Sequence, residues 1–117
     1  LVVPPQPATE NFNLGILKVN LSGKDTSYIV ITDIELGYDK DVDKKFKKEL
    51  QDRKSQIQSI ITTLLSGKTR KDIEGKEKKI NLRIKIKEEV NLTMNYGKIR
   101  AVYLKSIYIL KDTVNLE

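Results

Sequence analysis

The apolar residues of this chain change their spacing twice, from every second residue to every third or fourth and back, and that switch limits the fold more than any other feature. Leu17, Val19 and Leu21 alternate with Ile16, Lys18 and Asn20, which predicts a half-buried strand over about residues 14–21. Ser22–Ser27 supplies a turn. A second strand follows from Tyr28 to Leu36, with Tyr28, Val30, Ile34 and Leu36 on one face and Ile29, Ile31, Asp33 and Glu35 on the other, so the pair reads as a β-hairpin. Beyond Asp39 and Asp41, whose charge suits a helix N-terminus, the recurrence Val42, Phe46, Leu50, Arg53, Ile57, Ile60, Ile61, Leu64, Leu65 predicts a long amphipathic helix that tolerates a kink or break near Arg53–Ser55. Ser66-Gly67 ends it, with a left-handed glycine cap expected. Thr69 and Asp72 have the spacing of a capping box for a short helical turn that Gly75 closes.

Residues 78–94 fit two patterns. Ile80, Leu82, Ile84 and Ile86 alternate as in a strand, while Leu82, Ile86, Val90 and Met94 fall at helical spacing; the density of Lys and Glu and the absence of glycine and proline favour a helix. After a turn at Asn95–Lys98, Ile99–Lys111 is a long strand. Ala101, Tyr103, Ile107 and Ile109 oppose Val102, Leu104, Tyr108 and Leu110, so both faces read as apolar and a central, doubly covered position is expected. The resulting fold class is α+β: a hairpin, a long helix, a helical turn, a second helix, and a C-terminal strand packed centrally in the sheet.

A chain of 117 residues supports one hydrophobic core. Pro4, Pro5 and Pro7 all lie near the start, and residues 1–13 read as an extended linker before a domain at 14–117. No apolar run reaches the ~18 residues that span a bilayer. Cysteine and histidine are absent, which removes thiol chemistry, the commonest metal ligand and the usual proton shuttle. No nucleophile sits with a base and no carboxylate pair has a catalytic setting, so no enzyme activity, cofactor or metal is expected.

Several partial motifs fail on their own chemistry. Ser66-Gly67-Lys68-Thr69 ends like a phosphate loop, but Thr62 stands where its first glycine belongs and a helix precedes it. Asp39, Asp41 and Asp43 open like a calcium loop, but Lys44 and Leu50 replace the required glycine and glutamate. Asn20-Leu21-Ser22 and Asn91-Leu92-Thr93 match the glycosylation pattern, which arises often by chance. The run from Lys68 to Lys87 is strongly basic and suggests, as an alternative reading, a module for nucleic acid or anionic lipid. No aromatic residue occurs between Lys47 and Asn95 to stack on bases, so a solvated or protein-facing surface is favoured.

The net charge of +6 is divided: residues 1–39 hold two basic side chains against five acidic, and the remainder 20 against 11. Separate blocks of opposite sign suit head-to-tail self-association. The expected contact joins Asp33, Glu35, Asp39, Asp41 and Asp43 to Lys68, Arg70, Lys71, Lys78 and Lys79 of a neighbour, with Phe12, Leu14 and Ile16 as the next candidate surface. Leu50, Ile57, Ile61 and Leu64 are expected to form the buried stripe of the long helix, and Tyr103 a structural position in the last strand. Arg53 falls within the apolar stripe. Either its stem packs while its guanidinium reaches solvent, or it is a fixed fork that lysine cannot replace.

The order of these signals resembles the periplasmic domain of the flagellar basal-body-associated FliL family. Val19-Asn20-Leu21, Tyr28-Ile29-Val30-Ile31, Glu49-Leu50 with Arg53, Leu64-Leu65-Ser66, Lys68-Thr69, Asp72-Ile73 and Val102-Tyr103-Leu104 carry the likeness, over about residues 14–111. The alternating Ile80–Ile86 stretch departs from the plain leucine-rich helix of that family. The resemblance implies a stomatin/prohibitin-like fold and a transmembrane helix upstream of Leu1. It also implies a place on the periplasmic side of the bacterial inner membrane, and a ring around the MotA/MotB stator that stabilises it.

Overall fold

A computed structural model describes residues 9–23 and 28–111. Strand β1 (Thr9–Asn20) pairs antiparallel with β2 (Tyr28–Asp39), which pairs antiparallel with β3 (Ala101–Lys111). Between β2 and β3 come α1 (Lys44–Asp52), α2 (Lys54–Ser66), α3 (Arg70–Ile73) and α4 (Lys76–Thr93). The class is α+β, a three-stranded antiparallel sheet with four helices. The hairpin turn at 24–27 and the prolines within 1–8 lie outside the described residues. Residues 9–13, assigned to the linker from sequence, instead open β1 and pair with Glu35–Asp39.

The sheet order is β1-β2-β3, so the middle strand is β2 and the C-terminal strand is an edge. The central placement expected for β3 is therefore corrected, and a register shift explains why. Asp33 faces Ser106 and Ile34 faces Leu104, which leaves Lys105 as an extra residue in a bulge. Inward-facing residues change parity there: Val102 and Leu104 before the bulge, Ile107 and Ile109 after it. A strict alternation drawn through the bulge mixes the two faces and makes both look apolar. In fact one face is aliphatic and the other carries Tyr103, Lys105, Ser106, Tyr108 and Leu110.

A second bulge lies between Asn13 and Gly15, where Gly15 adopts φ +81° and donates its N–H to the Asn13 side chain at 2.7 Å. It turns Phe12, Leu14, Leu17 and Val19 all towards the core despite their changed parity. Gln58 of α2 donates to the Leu14 carbonyl at 2.7 Å and ties the helix to the bulge.

The helices cover the inward face. Phe46, Leu50, Ile57, Ile61 and Leu65 are buried against Val30, Ile34 and Leu36, while Leu64 sits half-buried on the flank and leaves its expected core position to Leu65. The long helix is broken at Arg53, whose φ of −100° and ψ of 11° interrupt it. Asp43 caps α1, accepting from the Lys45 N–H at 2.9 Å. Gly67 ends α2 in right-handed geometry, φ −86° and ψ 0°, so the expected left-handed cap is also corrected; the positive φ falls eight residues later, at Gly75 (+90°). Both the Thr69 N–H and its hydroxyl bond to Asp72. Residues 78–94 are helical through Thr93, with Leu82, Ile86 and Val90 buried and Ile80 and Ile84 left outside.

Candidate functional site

Three groups of side chains stand out once the sheet and helices are in place. The first is a buried clamp at the α1/α2 break. Glu49 is only 6% exposed, and its carboxylate accepts the backbone N–H of Asn95 at 2.9 Å and of Tyr96 at 3.1 Å, and Arg53 Nε at 3.0 Å. Burial raises the pKa of this carboxyl, but the two backbone donors and the guanidinium outweigh it and leave the group below its ordinary value. Arg53 also donates from Nη1 to Gln56 at 2.8 Å, so its fork spans the break and holds acceptors on both sides. The clamp fixes the turn after α4, and Asn91 continues it by exchanging two hydrogen bonds with the Ile99 backbone.

The second group is the outward face of the sheet. Here Lys105 lies 3.2 Å from Glu35 and 3.7 Å from Asp33, and its pKa is raised, first by the bond to Glu35 and then by the two charges. Asn11 donates to Glu35. The Tyr103 ring lies against Gly37, where a Cβ would stand 2.8 Å from it, so that glycine is needed for the close approach. Farther along, Ile16 (71% exposed), Tyr108 (61%) and Leu110 (51%) have no covering layer among the described residues.

The third is a separation of charge along the strands. Ser22 bonds to the carbonyls of Ser66 and Lys68, which puts α3 beside the hairpin end of the sheet. Asp39, Asp41 and Asp43 lie at the opposite end of β2, a strand of 12 residues spanning about 40 Å.

The family model described as flagellar basal body-associated protein FliL matches residues 12–109, from the inward-facing Phe12 of β1 to Ile109 of β3. The chain belongs to the FliL family. No curated protein matches it. As a FliL-family domain it is a flagellar basal-body-associated protein, and no helix among its described residues is long and apolar enough to cross a membrane.

The FliL-family fold distributes the residues singled out from sequence unevenly. Of the acidic set, Asp33 and Glu35 are held by Lys105, and Asp39 is held by Arg100 at 2.8 Å, which leaves Asp41 exposed and Asp43 as a helix cap. Of the basic set, Arg70 stacks on Tyr28 at 5.1 Å and pairs with Glu74, while Lys71 and Lys78 are exposed and Lys79 is half-buried. Phe12, Leu14 and Ile16 do not form one surface, because the bulge buries the first two to differing degrees and turns Ile16 to the opposite face. Sequence reasoning missed Glu49 as the partner of Arg53. The signal was available in the Glu-to-Arg spacing of four residues, but the backbone donors at Asn95 and Tyr96 are supplied only by the tertiary fold.

Proposed function

We propose that this domain is a non-enzymatic accessory of the flagellar motor that assembles around the MotA/MotB stator and stabilises it, supporting torque and motility. The observation that carries the reading is the family match across the sheet and all four helices. The domain then lies on the periplasmic side of the bacterial inner membrane, held by a transmembrane helix upstream of Leu1, and shares the stomatin/prohibitin-like fold of its family.

Copies associate head to tail in this reading, joining the Asp41 and Asp43 end of one to the Lys71 and Lys78 end of the next. Opposed charge at the two ends of the strands supports that contact, and repetition closes a ring when the rotation allows. Exposed charge pairs are worth less than about 1 kcal/mol each, so a shared membrane plane that raises local concentration is part of the mechanism.

The test replaces the gene in its own bacterium with a version in which Arg70, Lys71, Lys78 and Lys79 become glutamate, and counts fluorescent MotB units at motors under load. Fewer bound units, with partial recovery when the acidic set is reversed in the same molecule, is the expected result. An undiminished count with normal swimming rejects the reading.

A further inference from the structure

Both edges of the sheet are unpaired on their outer sides among the described residues and both carry a bulge, but they differ in what flanks them. On β1, Gln58 bonds the bulged Leu14 carbonyl, and Asn11, Asn13, Lys18 and Asn20 face the other side. Along β3, from Ala101 to Lys111, the backbone pairs with β2 on one side only, and no other backbone hydrogen bond reaches it among the described residues. On either side of the Lys105 bulge this edge remains a template for another strand. Lys105, the charge that could block it, is turned to the outward face and held by Glu35 and Asp33.

Helix α4 adds a wall beside that edge. Ile80, Ile84 and Asn91 fall on one helical stripe, and Asn91 is bonded to Ile99, so the stripe lies on the β3 side. Ile84 is 51% exposed there and Ile80 38%, two neighbouring aliphatic side chains left open on one stripe. A concavity of about 670 Å³ lies between Arg83 and the stretch Ala101–Lys105 and continues over the outward face to Glu35 and Asn11, where the Glu35 carboxylate is already held by Lys105. Arg83 and Lys87, one turn apart, make no ion pair among the described residues, so the wall is apolar with a positive rim.

We propose that β3 is a strand-addition site that takes an extended segment of another protein in which apolar and acidic residues alternate. The segment's backbone pairs with the free side of β3, its apolar side chains rest on Ile80 and Ile84, and its carboxylates meet Arg83 and Lys87. A second copy of this chain fits less well, because antiparallel pairing of β3 with itself brings two such cationic rims together. The site is independent of the charged ends and of the stator assignment.

The probe is a short peptide alternating valine and glutamate, titrated into the isotope-labelled domain and followed by backbone amide resonances. Saturable shifts confined to residues 101–111 and the α4 stripe are expected. Binding should vanish when alternate peptide nitrogens are methylated, and fall roughly fivefold to tenfold in the Arg83→Glu, Lys87→Glu double variant, whose fold is checked by circular dichroism. Absence of binding overturns the proposal. So does equal binding of the methylated peptide, equal binding of a valine–lysine peptide, or shifts centred on β1. Concentration-dependent shifts at β3 without peptide would assign the edge to a second copy and overturn the occupant proposed here.

Discussion

The two faces of the sheet share the same three strands yet have opposite fates. On the inward side Val30, Ile34, Leu36 and Val102 meet the helices and are at most 5% exposed. On the outward side the same strands present Ile16, Asp33, Glu35, Tyr103, Lys105 and Tyr108, of which the charged ones are ion-paired and Ile16 and Tyr108 stay open among the described residues. Stability therefore resides in one face, and the other is free to vary with what it touches. The contrast predicts how substitutions should sort.

The largest effect belongs to the covered face. Ile57→Asp places an unpaired charge at a fully buried position and should cost about 3 to 5 kcal/mol, read as loss of the cooperative thermal transition. An unchanged melting temperature would mean that α2 does not lie where it is described. Glu49→Ala should cost about 2 to 4 kcal/mol in chemical denaturation, because the Asn95 and Tyr96 N–H groups lose their acceptor.

The pH dependence of that clamp has a definite sign. The folded pKa of Glu49 lies below the ordinary value of 4.5, so its stabilisation is complete above that value and is lost as pH falls through the folded pKa. The stability gap between the parent and Glu49→Gln should be constant near neutrality and shrink below about pH 4.5. A gap that widens in acid would contradict the clamp.

Smaller changes probe single contacts. Arg53→Lys keeps the charge but not the fork and should cost about 1 kcal/mol; equal stability would favour the reading of Arg53 as a packed stem with a solvated head. Thr32 is 2% exposed in the inward layer between Leu17 and Ile107, and its hydroxyl finds no partner in the described chain. Thr32→Val should stabilise the domain by about 1 kcal/mol, and a loss instead would reveal a bond made by that hydroxyl. Tyr108→Ser, on the open face, should move stability by less than about 0.5 kcal/mol.

The sequence reading succeeded where the determinant is local. The alternation through Tyr28–Leu36, the Thr69/Asp72 cap and the break at Arg53 all depend on neighbours within a few residues. It failed where a bulge changes parity, because one extra residue at Leu14 or Lys105 looks like any other until the partner strand sets the register. That failure alone made β3 read as a central strand and grouped Leu14 with Ile16. The helical state of residues 78–94 was decided by packing, since Leu82, Ile86 and Val90 find the core and Ile80 and Ile84 do not. The charged ends were visible as blocks in the sequence, but the pairing of Asp33, Glu35 and Asp39 with Lys105 and Arg100 spans more than 60 residues and is invisible without the fold.

The helix-covered face with its Glu49 clamp is closed, and the surfaces left for partners are the proposed β3 edge with its α4 stripe and the charged ends of the strands. Hydrogen–deuterium exchange, compared between the free domain and the protein purified with its flagellar basal body, tests this division directly. New protection is expected at residues 101–111 and along α4, and at residues 41–43 and 70–79 where copies meet, with exchange at residues 49–57 and at Asn95 and Tyr96 unchanged. Protection gained at the clamp, with none on β3, would contradict it.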